Sequence, residues 1–316
     1  MSTNLASRPN LTLRTGSREP AHRGTSRFQK WLVQVGWRHA VGLVAAVFAI
    51  FPILYLLQTA LTASGNLNSS VRGWLSFVPT NPSTRNFAAL LASKEYPFWD
   101  WVINTLVICT SSTFLSILIS SGAAYAFSRI RFAGRRAGLL AVLLIQIFPS
   151  FLAVIALYRM SASAGDVFPM LAPGRVSLVL VYLGGAMGVN TWLTKSYIDT
   201  IPVDLDEAAK IDGASHPQIF FMVILRLAAP IIVVTALLAF IGVLNEFIFA
   251  NLFLASSNSA KTLIVGLFQL GSPYSGNYNF GMFAAGALMA TAPVVVLMFL
   301  LRNYLVGGLI KGSVKA

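Results

Sequence analysis

Residues 199–218 read DTIPVDLDEAAKIDGASHPQ, and this stretch decides how the chain is organised. It holds five of the ten acidic residues of the chain and lies between two long apolar segments. Two of its aspartates lie where a helix would begin, near the positive end of the helix dipole. Gly213 is placed to end that helix in a left-handed conformation, and Ser215 with Gln218 forms a capping box for the next helix. The sequence therefore predicts that this acidic loop contains two short helices that meet at a bend outside the apolar segments.

The composition around the acidic loop is that of a membrane protein. Hydrophobic residues make up 56% of the 316 residues and charged residues only 10%, whereas about 25% of the residues in soluble domains are charged. Six apolar segments are each long enough to cross the roughly 30 Å hydrocarbon core of a bilayer. The predicted spans lie near 41–61, 101–127, 137–158, 176–194, 225–244 and 281–301. The expected fold class is all-α, a polytopic membrane protein with six transmembrane helices.

Basic residues predict the orientation of this bundle. The first forty residues carry seven Lys and Arg against one Glu, and four arginines fill the turn between the second and third spans. Under the positive-inside rule, both termini and the acidic loop then lie in the cytoplasm. This placement accounts for most of the +13 net charge and argues against nucleic-acid binding. We therefore expect a multi-pass protein of the bacterial cytoplasmic (plasma) membrane, surrounded by membrane lipid.

The acidic loop also carries a motif. Glu207, Ala208 and Ala209, followed by Asp212 and Gly213, read EAAxxDG and resemble the EAA loop of ABC-importer permeases. In that family the loop is a coupling helix that docks into a cleft on a separate ATPase subunit. The resemblance implies that these five residues form the contact with the ATPase.

Other strings narrow the resemblance to one subunit type. AYAFSRIRFAGRR from Ala124, VYLGGAMGVNTWLTKSYIDTIP from Val181 and FAAGALMATAP from Phe283 resemble MalG-like permeases, which serve importers of maltose and related α-glucosides. Arg226 departs from the pattern, because the family often has Pro there. The resemblance covers about residues 35–316 and implies an ABC transmembrane type-1 bundle.

We expect four parts along the chain. The first is rich in Ser, Arg, Thr and Pro with few apolar side chains, a composition typical of disorder. The expected parts are a disordered basic cytoplasmic tail at 1–36, a first transmembrane helix with an external segment at 37–99, the ABC type-1 domain at 100–302, and a cytoplasmic C-terminal tail at 303–316.

The resemblance implies an assembly in which ATP is hydrolysed by another chain. Its partners would be a MalF-like second permease, a dimer of ATPase subunits and an extracytoplasmic sugar-binding protein. The chain has no G-x-x-x-x-G-K-[ST] phosphate loop, so we expect no cofactor on it, with ATP and magnesium bound by the partner ATPase. Cys109 is the only cysteine and the three histidines show no metal-ligand spacing. We therefore expect neither a metal site nor an enzyme.

The C-terminal tail is a second expected contact with the ATPase. Residues 307–316 hold three glycines and two lysines, which predicts an extended basic strand with little helix propensity. MalG-like subunits have a tail that inserts between the ATPase subunits, and this implies contacts from Gly308, Lys311 and Gly312. The alternative is a frayed terminus that only contributes to the positive-inside balance.

Three residues are candidates for the substrate path. Glu246 follows an apolar run near the outer end of the fifth span, and an ionisable group at membrane depth is a functional candidate by default. The alternative is that its carboxylate simply reaches external water. Asn190 and Trp192 offer an amide and an aromatic face, the pairing that sugars favour, although a helix-bundle hydrogen bond and an interfacial aromatic ring explain them equally well.

Four further residues inside the spans are interpreted as packing features. Gln146 and Pro149 lie in the third span, and Gly184 and Gly185 lie in the fourth. Breaks inside transmembrane helices are tolerated where neighbouring helices satisfy the freed backbone groups. We expect these four to serve bundle packing rather than substrate contact.

The sequence therefore predicts the permease subunit of an ATP-driven importer that moves a maltose-like oligosaccharide. The alternative is a six-helix secondary transporter or channel without an ATPase partner, which should show buried carboxylates along a pathway or inverted repeats. A membrane-embedded enzyme would require clustered His, Asp or Glu side chains. Maltose, maltodextrin, trehalose and other α-glucosides fit the sequence equally.

Overall fold

The computed structural model of the chain describes residues 35–63, 81–272 and 278–313. Within these ranges the backbone is helical apart from turns and one isolated antiparallel bridge between Thr62 and Pro82. Nearly all of the tail predicted to be disordered lies outside the described residues.

The helices are numbered here in chain order. They are α1 (Trp37–Leu61), α2 (Arg85–Ala92), α3 (Phe98–Arg129), α4 (Arg135–Ile147), α5 (Val154–Val167), α6 (Arg175–Ile198), α7 (Asp204–Ile211), α8 (His216–Gln218), α9 (Leu225–Leu227), α10 (Ala229–Leu244), α11 (Ile248–Phe253), α12 (Leu263–Gly271) and α13 (Phe280–Ser313). Short 3₁₀ turns lie at Ser150–Ala153, Pro169–Leu171 and Asn258–Ala260, and a π-helical turn lies at Ile219–Ile224.

The described helices provide three straight candidate spans and three bent ones. α1, α3 and the first 23 residues of α13 are long and apolar enough to cross a membrane unbroken. α4 makes an angle of 81° with the segment Ser150–Val167, the two halves of α6 differ by 47°, and His216–Leu227 makes an angle of 80° with α10. The six predicted spans are recovered if each bent pair counts as one span.

The sharpest bend lies in the third span, which was predicted at 137–158 with Pro149 as a break inside it. The chain leaves the helical region at Phe148, whose φ and ψ are −69° and 125°. Pro149 follows, and a proline disfavours the α conformation in the residue before it and cannot donate a backbone hydrogen bond. The third span therefore turns by 81° at this point instead of running through.

The chain forms two compact units whose boundary, between Pro52 and Ile53, falls inside α1. In the first unit, Val44 and Phe48 are 69% and 82% exposed, as expected of side chains that face lipid. In the second unit, the amide nitrogen of Asn86 donates to the carbonyls of Ala60 and Thr62, both at 2.9 Å. Asn86 on α2 thus satisfies backbone groups at the end of α1.

The centre of the second unit is the contact between α3 and α6. Ser112, Ser116 and Ser120 lie four residues apart on α3 and are at most 2% exposed. Small residues at this spacing allow two membrane helices to approach closely. The amide nitrogen of Asn190 on α6 donates to Ser116 Oγ at 3.3 Å, which adds a polar tie to the packed pair.

The C-terminal tail differs from its predicted conformation. α13 continues through Ser313, so the extended strand expected over residues 307–316 is wrong for the part that the structure describes. Propagating an existing helix costs far less than nucleating a new one, and a long membrane helix precedes these glycines.

Candidate functional site

The acidic loop folds into the two short helices that its sequence predicts. α7 begins at Asp204 and carries three acidic residues in its first turn. At its end, Gly213 has φ +83° and its N–H donates to the carbonyl of Lys210 at 3.0 Å, while the N–H of Ala214 donates to Ala209 at 2.9 Å. These two bonds form a Schellman motif, which requires the left-handed conformation that glycine adopts at no steric cost.

The second helix of the loop begins with the predicted capping box. The side-chain oxygen of Gln218 accepts a hydrogen bond from the backbone N–H of Ser215 at 2.8 Å. Pro217 lies in the first turn, where a missing N–H leaves no intrahelical bond unmade. The π-helical turn Ile219–Ile224 follows and leads towards α10.

A buried ion pair fixes α7 to the end of α3. Arg129 Nε lies 2.6 Å from Asp206 Oδ2, and the two side chains are only 8% and 5% exposed. Arg129 also donates through Nη2 to the carbonyl of Ile201 at 2.7 Å. The last residue of α3 therefore holds both α7 and the turn that precedes it.

A second, more exposed group of polar contacts lies at the start of the loop. Ser128 Oγ donates to Asp199 Oδ1 at 2.6 Å, and Lys195 pairs with the other oxygen of the same carboxylate. Desolvation by burial raises the pKa of Asp199, but the hydrogen bonds from Lys195 and Ser128 and the charges of Lys195 and Arg135 outweigh it, so its pKa lies below the usual value. Asp199 therefore stays ionised and keeps α6 joined to α3.

The underside of the loop is apolar. Ile219 and Phe220 are buried in a cluster that also contains Tyr125 of α3, with Ala209 and Ala214 packed against it. The remaining members of this cluster come from the ends of α3 and α6 and from the stretch leading into α10. The loop is thus a packed unit on the bundle rather than a free turn.

The outer face of α7 is the part available to a partner. Val203, Leu205 and Ile211 are 51%, 43% and 86% exposed, an unusual exposure for three apolar side chains on so short a segment. Of the five predicted coupling residues, Glu207, Ala208, Asp212 and Gly213 are exposed and Ala209 is half-buried. Four of the five therefore lie on the accessible surface, and Ala209 instead contributes to the packing beneath it.

A cavity of about 1100 Å³ lies within the second unit. Its walls are the end of α4 with the bend that follows, α5, α6, α10 and the start of the segment after α10. Most of the lining is aliphatic or aromatic. Seven polar side chains also line it, namely Gln146, Ser150, Ser161, Ser177, Tyr182, Asn190 and Glu246.

Glu246 is bound within the protein at this wall. Its Oε2 accepts hydrogen bonds from the Tyr182 hydroxyl at 2.6 Å and from the N–H of Ala250 at 3.0 Å. Its Oε1 accepts from the N–H of Phe249 at 2.9 Å. The carboxylate thus satisfies free N–H groups in the first turn of α11 and ties that turn to α6.

The three predicted substrate-path residues do not all meet at the cavity. Asn190 and Glu246 line it, whereas Trp192 is 44% exposed and is not part of the lining. Residues two apart on an α-helix point about 200° away from each other, so Asn190 and Trp192 face opposite sides of α6. The amide and aromatic ring that the sequence suggested as a pair are therefore separated.

The cavity also uses residues that the sequence interpretation assigned to packing. Gln146, Pro149, Gly184 and Gly185 all line it. The signal in the sequence was the pair of helix breaks, at Pro149 and at the double glycine. Broken helices in transporters tend to lie where irregular backbone borders a cavity, so these two breaks are the signal from which a cavity wall could have been predicted.

The chain matches the family described as binding-protein-dependent transport system inner membrane component over residues 86–309. It therefore belongs to this family of membrane permease subunits. The matched segment includes the acidic loop, the whole cavity and the predicted type-1 domain at 100–302. The family match favours this class over a secondary transporter or channel, and the family's subunit is not itself catalytic.

Individual relatives confirm the resemblance to MalG-like permeases. The galactooligosaccharides transport system permease protein GanQ of Bacillus subtilis (strain 168) is 37% identical over 271 residues, which cover 85% of this chain and 92% of that protein. The maltose/maltodextrin transport system permease protein MalG of Vibrio vulnificus (strain YJ016) is 35% identical over 278 residues, 84% of this chain and 90% of that protein. MalG of Escherichia coli (strain K12) is 32% identical over 283 residues, which cover 88% of this chain and 94% of that protein.

Solved structures confirm the fold class. A bacterial ABC transporter involved in the import of the acidic polysaccharide alginate superposes with a TM-score of 0.71 at 23% identity, covering 89% of this chain and 99% of that chain. The alginate transporter in complex with an alginate pentasaccharide-bound periplasmic protein gives a TM-score of 0.64 at 16% identity, covering 87% and 96%. The chain therefore shares the all-α fold of these two ABC-transporter chains.

Proposed function

We propose that this chain is one of two permease subunits of an ATP-driven importer that carries a neutral, maltose-like oligosaccharide across the bacterial cytoplasmic membrane. The relatives named above serve maltose, maltodextrin or galactooligosaccharides, which supports this substrate class. The observation that carries the proposal is the acidic loop, a rigidly mounted helix with an exposed apolar and acidic face.

The acidic loop acts as the coupling helix towards a separate ATPase. Glu207, Ala208, Asp212 and Gly213 are exposed on it, and Ile211 extends the apolar part of the same surface. Because the ion pair between Arg129 and Asp206 joins α7 to α3, movement of the ATPase is passed to the bundle as a rigid-body displacement. Such a contact transmits a conformational change and requires no chemistry on this chain.

The proposed function also defines the partners of this chain. They are a MalF-like second permease, a dimer of ATPase subunits that binds ATP and magnesium, and an extracytoplasmic sugar-binding protein. Both termini and the acidic loop lie in the cytoplasm, as the distribution of Lys and Arg predicts. Gly308, Lys311 and Gly312 form an additional contact with the ATPase dimer, in helical rather than extended form.

The cavity forms part of the route of the sugar through this subunit. Asn190 and Glu246 belong to its wall, and its largely apolar lining suits the C–H faces of pyranose rings. Trp192, on the other side of α6, contributes to a contact with lipid or the second permease instead.

Reconstitution tests this function directly. The chain is co-expressed with its second permease and ATPase, and the complex is placed in proteoliposomes with binding protein loaded with maltose, maltodextrin or a galactooligosaccharide. We expect ATP-dependent uptake and stimulated ATP hydrolysis with at least one of these sugars. Uptake that does not require ATP, or a failure of any ATPase to co-purify, would refute the proposal.

A charge reversal on the loop provides the matched comparison. Glu207→Lys changes an exposed carboxylate on α7 and places a positive charge near the helix N-terminus, which is unfavourable by about 0.3–1 kcal/mol. Asp166→Lys makes the same reversal at an exposed residue of α5. We expect both variants to reach the membrane at normal levels, and only Glu207→Lys to lose the ATPase and the uptake.

A further inference from the structure

The polar side chains of the cavity divide into two groups by their hydrogen bonds. Five of the seven bond within the protein. These are Ser161, Ser177, Tyr182, Asn190 and Glu246. The other two, Gln146 and Ser150, line the cavity and make no hydrogen bond to any residue that the structure describes. Polar groups without a protein partner in a cavity wall are available to a ligand.

Glu246 is the obvious candidate for a sugar contact in this wall, but its carboxylate already accepts hydrogen bonds from within the protein. It accepts three hydrogen bonds at 2.6–3.0 Å, two of them from the backbone of the helix that it caps. A sugar hydroxyl at this site would have to compete with bonds that hold α11 to α6. The geometry assigns Glu246 a positioning role rather than a direct sugar contact.

Gln146 lies at the end of α4, directly before the bend at Phe148, and is half-buried. Its side chain rests against α6 where Gly188 has no side chain. A Cβ built on Gly188 would lie 2.5 Å from the Gln146 amide nitrogen and 2.6 Å from its Cγ. Gly188 thus leaves the space in which the Gln146 side chain sits at the cavity wall.

The chemistry of this wall fits a neutral oligosaccharide. An amide provides two donors and one acceptor without charge, which matches vicinal sugar hydroxyls, and the aliphatic lining around it suits the C–H faces of the rings. A volume of about 1100 Å³ is slightly above the range of roughly 300–1,000 Å³ for small-molecule sites, which leaves room for an oligosaccharide. An acidic sugar would instead require a cation, and no Lys or Arg lines this cavity among the described residues.

We infer that Gln146 is a sugar-contacting residue of this subunit, held in place by Gly188, and that the ligand is a neutral oligosaccharide. The inference rests on the proposed function and deepens it, because it identifies on this chain a hydrogen-bonding group for the transported sugar. Three separate observations support the inference: the Gln146 amide has no protein partner among the described residues, it lines the cavity, and a glycine at position 188 leaves the space that it fills.

The test is a double-mutant cycle in the reconstituted complex, with the sugar that the wild type transports. Gln146→Ala removes the amide, and Gly188→Ala displaces it by occupying its space. We expect each to lower uptake at saturating sugar about three- to tenfold, as the loss of one neutral hydrogen bond would. Stimulation of ATP hydrolysis by the sugar-loaded binding protein should stay within about twofold of wild type, because the amide contacts only the sugar.

The double variant separates a ligand contact from packing. If Gln146 contacts the sugar, Gln146→Ala/Gly188→Ala is impaired to the same extent as Gln146→Ala alone. If Gln146 only fills space, removing it relieves the clash and the double variant transports like wild type, which overturns the inference. Gly122→Ala is the matched glycine control, because a Cβ there meets nothing within 4 Å.

The failure of this inference is distinct from the failure of the proposed function. A wild-type complex that transports no sugar contradicts the proposed function. A wild-type complex that transports sugar, combined with unchanged uptake by Gln146→Ala, overturns only the role of Gln146.

Discussion

The attachment of α7 to α3 can be tested through the ion pair between Arg129 and Asp206. The N···O distance is 2.6 Å and both side chains are less than 10% exposed. Asp206→Asn removes the negative charge with little change in volume and leaves the guanidinium buried without its counter-ion. We expect α7 to detach from α3 more often and coupling to be lost in proportion.

The magnitude follows from the burial of the pair. Removing one partner of a buried ion pair costs about 3–5 kcal/mol, because the remaining charge is left uncompensated. Arg129 keeps its bond to the Ile201 carbonyl at 2.7 Å, so the lower end of that range applies. About 3 kcal/mol corresponds to about a hundredfold increase in the equilibrium constant for detachment of α7.

Hydrogen exchange of the backbone amides in α7 measures this equilibrium. We expect about a hundredfold faster exchange for residues 204–211 in Asp206→Asn, together with reduced uptake. Asp199→Asn is the matched control, since its partner Lys195 is 17% exposed and its own side chain 42% exposed. An exposed i,i+4 pair contributes about 0.3–0.5 kcal/mol, so exchange in the control should change only about twofold.

Equal exchange rates in Asp206→Asn and Asp199→Asn would refute the reasoning, because burial would then make no difference. A second check replaces both partners of the buried pair by apolar residues, Arg129→Met with Asp206→Leu. Replacing a buried pair by packed apolar side chains is often neutral or stabilising. This variant should recover the slow exchange, and if it exchanges as fast as Asp206→Asn the charge is not what holds α7.

Three further predictions concern the loop, the topology and the tail. Gly213→Val should reach the membrane normally and lose uptake, because a left-handed conformation costs a side chain about 1–2 kcal/mol; uptake is compared with membrane levels from immunoblots. In a Cys109→Ala background, Ser163→Cys should react with an impermeant thiol reagent from outside, and Ser215→Cys only after the membrane is opened. Deleting residues 311–316 should leave α13 inserted and weaken co-purification of the ATPase.

The outcomes that would contradict these predictions are equally specific. Normal uptake by Gly213→Val would remove the coupling role of the loop. Labelling of Ser215→Cys in intact cells would show that the acidic loop lies outside, opposite to the predicted orientation. If a permease truncated after Ile310 assembles and transports like the full chain, the tail does not contact the ATPase.

The acidic loop was predictable because its signals are local. The aspartates at the start of α7, Gly213 at its end and the Ser215–Gln218 box each act within one helical turn. Every one of them is found in the structure with the expected conformation or hydrogen bond. What the sequence could not give is Arg129 as the partner of Asp206, because the pair depends on the packing of α3 against the loop and is 77 residues apart in the chain.

The cavity was less predictable because apolar spans carry little directional information. Hydropathy predicts six spans but carries no information on the 81° and 80° bends. These bends determine where the walls of the cavity lie. Pairing Asn190 with Trp192 from their proximity in sequence ignored the helical rotation between them. Nothing in the third span itself shows that Gly188, on another helix, leaves room for the Gln146 side chain at the cavity wall.

The arrangement of helices joins the loop to the cavity by two short routes. One passes from α7 through the Arg129–Asp206 pair into α3, and then through the bond between Asn190 and Ser116 into the cavity wall. The other follows the chain itself, from α8 through the π-helical turn and the 80° bend into α10, which also lines the cavity. Both routes consist of packed helices and buried polar bonds, which move as units rather than deforming continuously. Under the proposed function, a displacement of α7 by the ATPase would shift two walls of the cavity at once, as alternating access to a sugar requires.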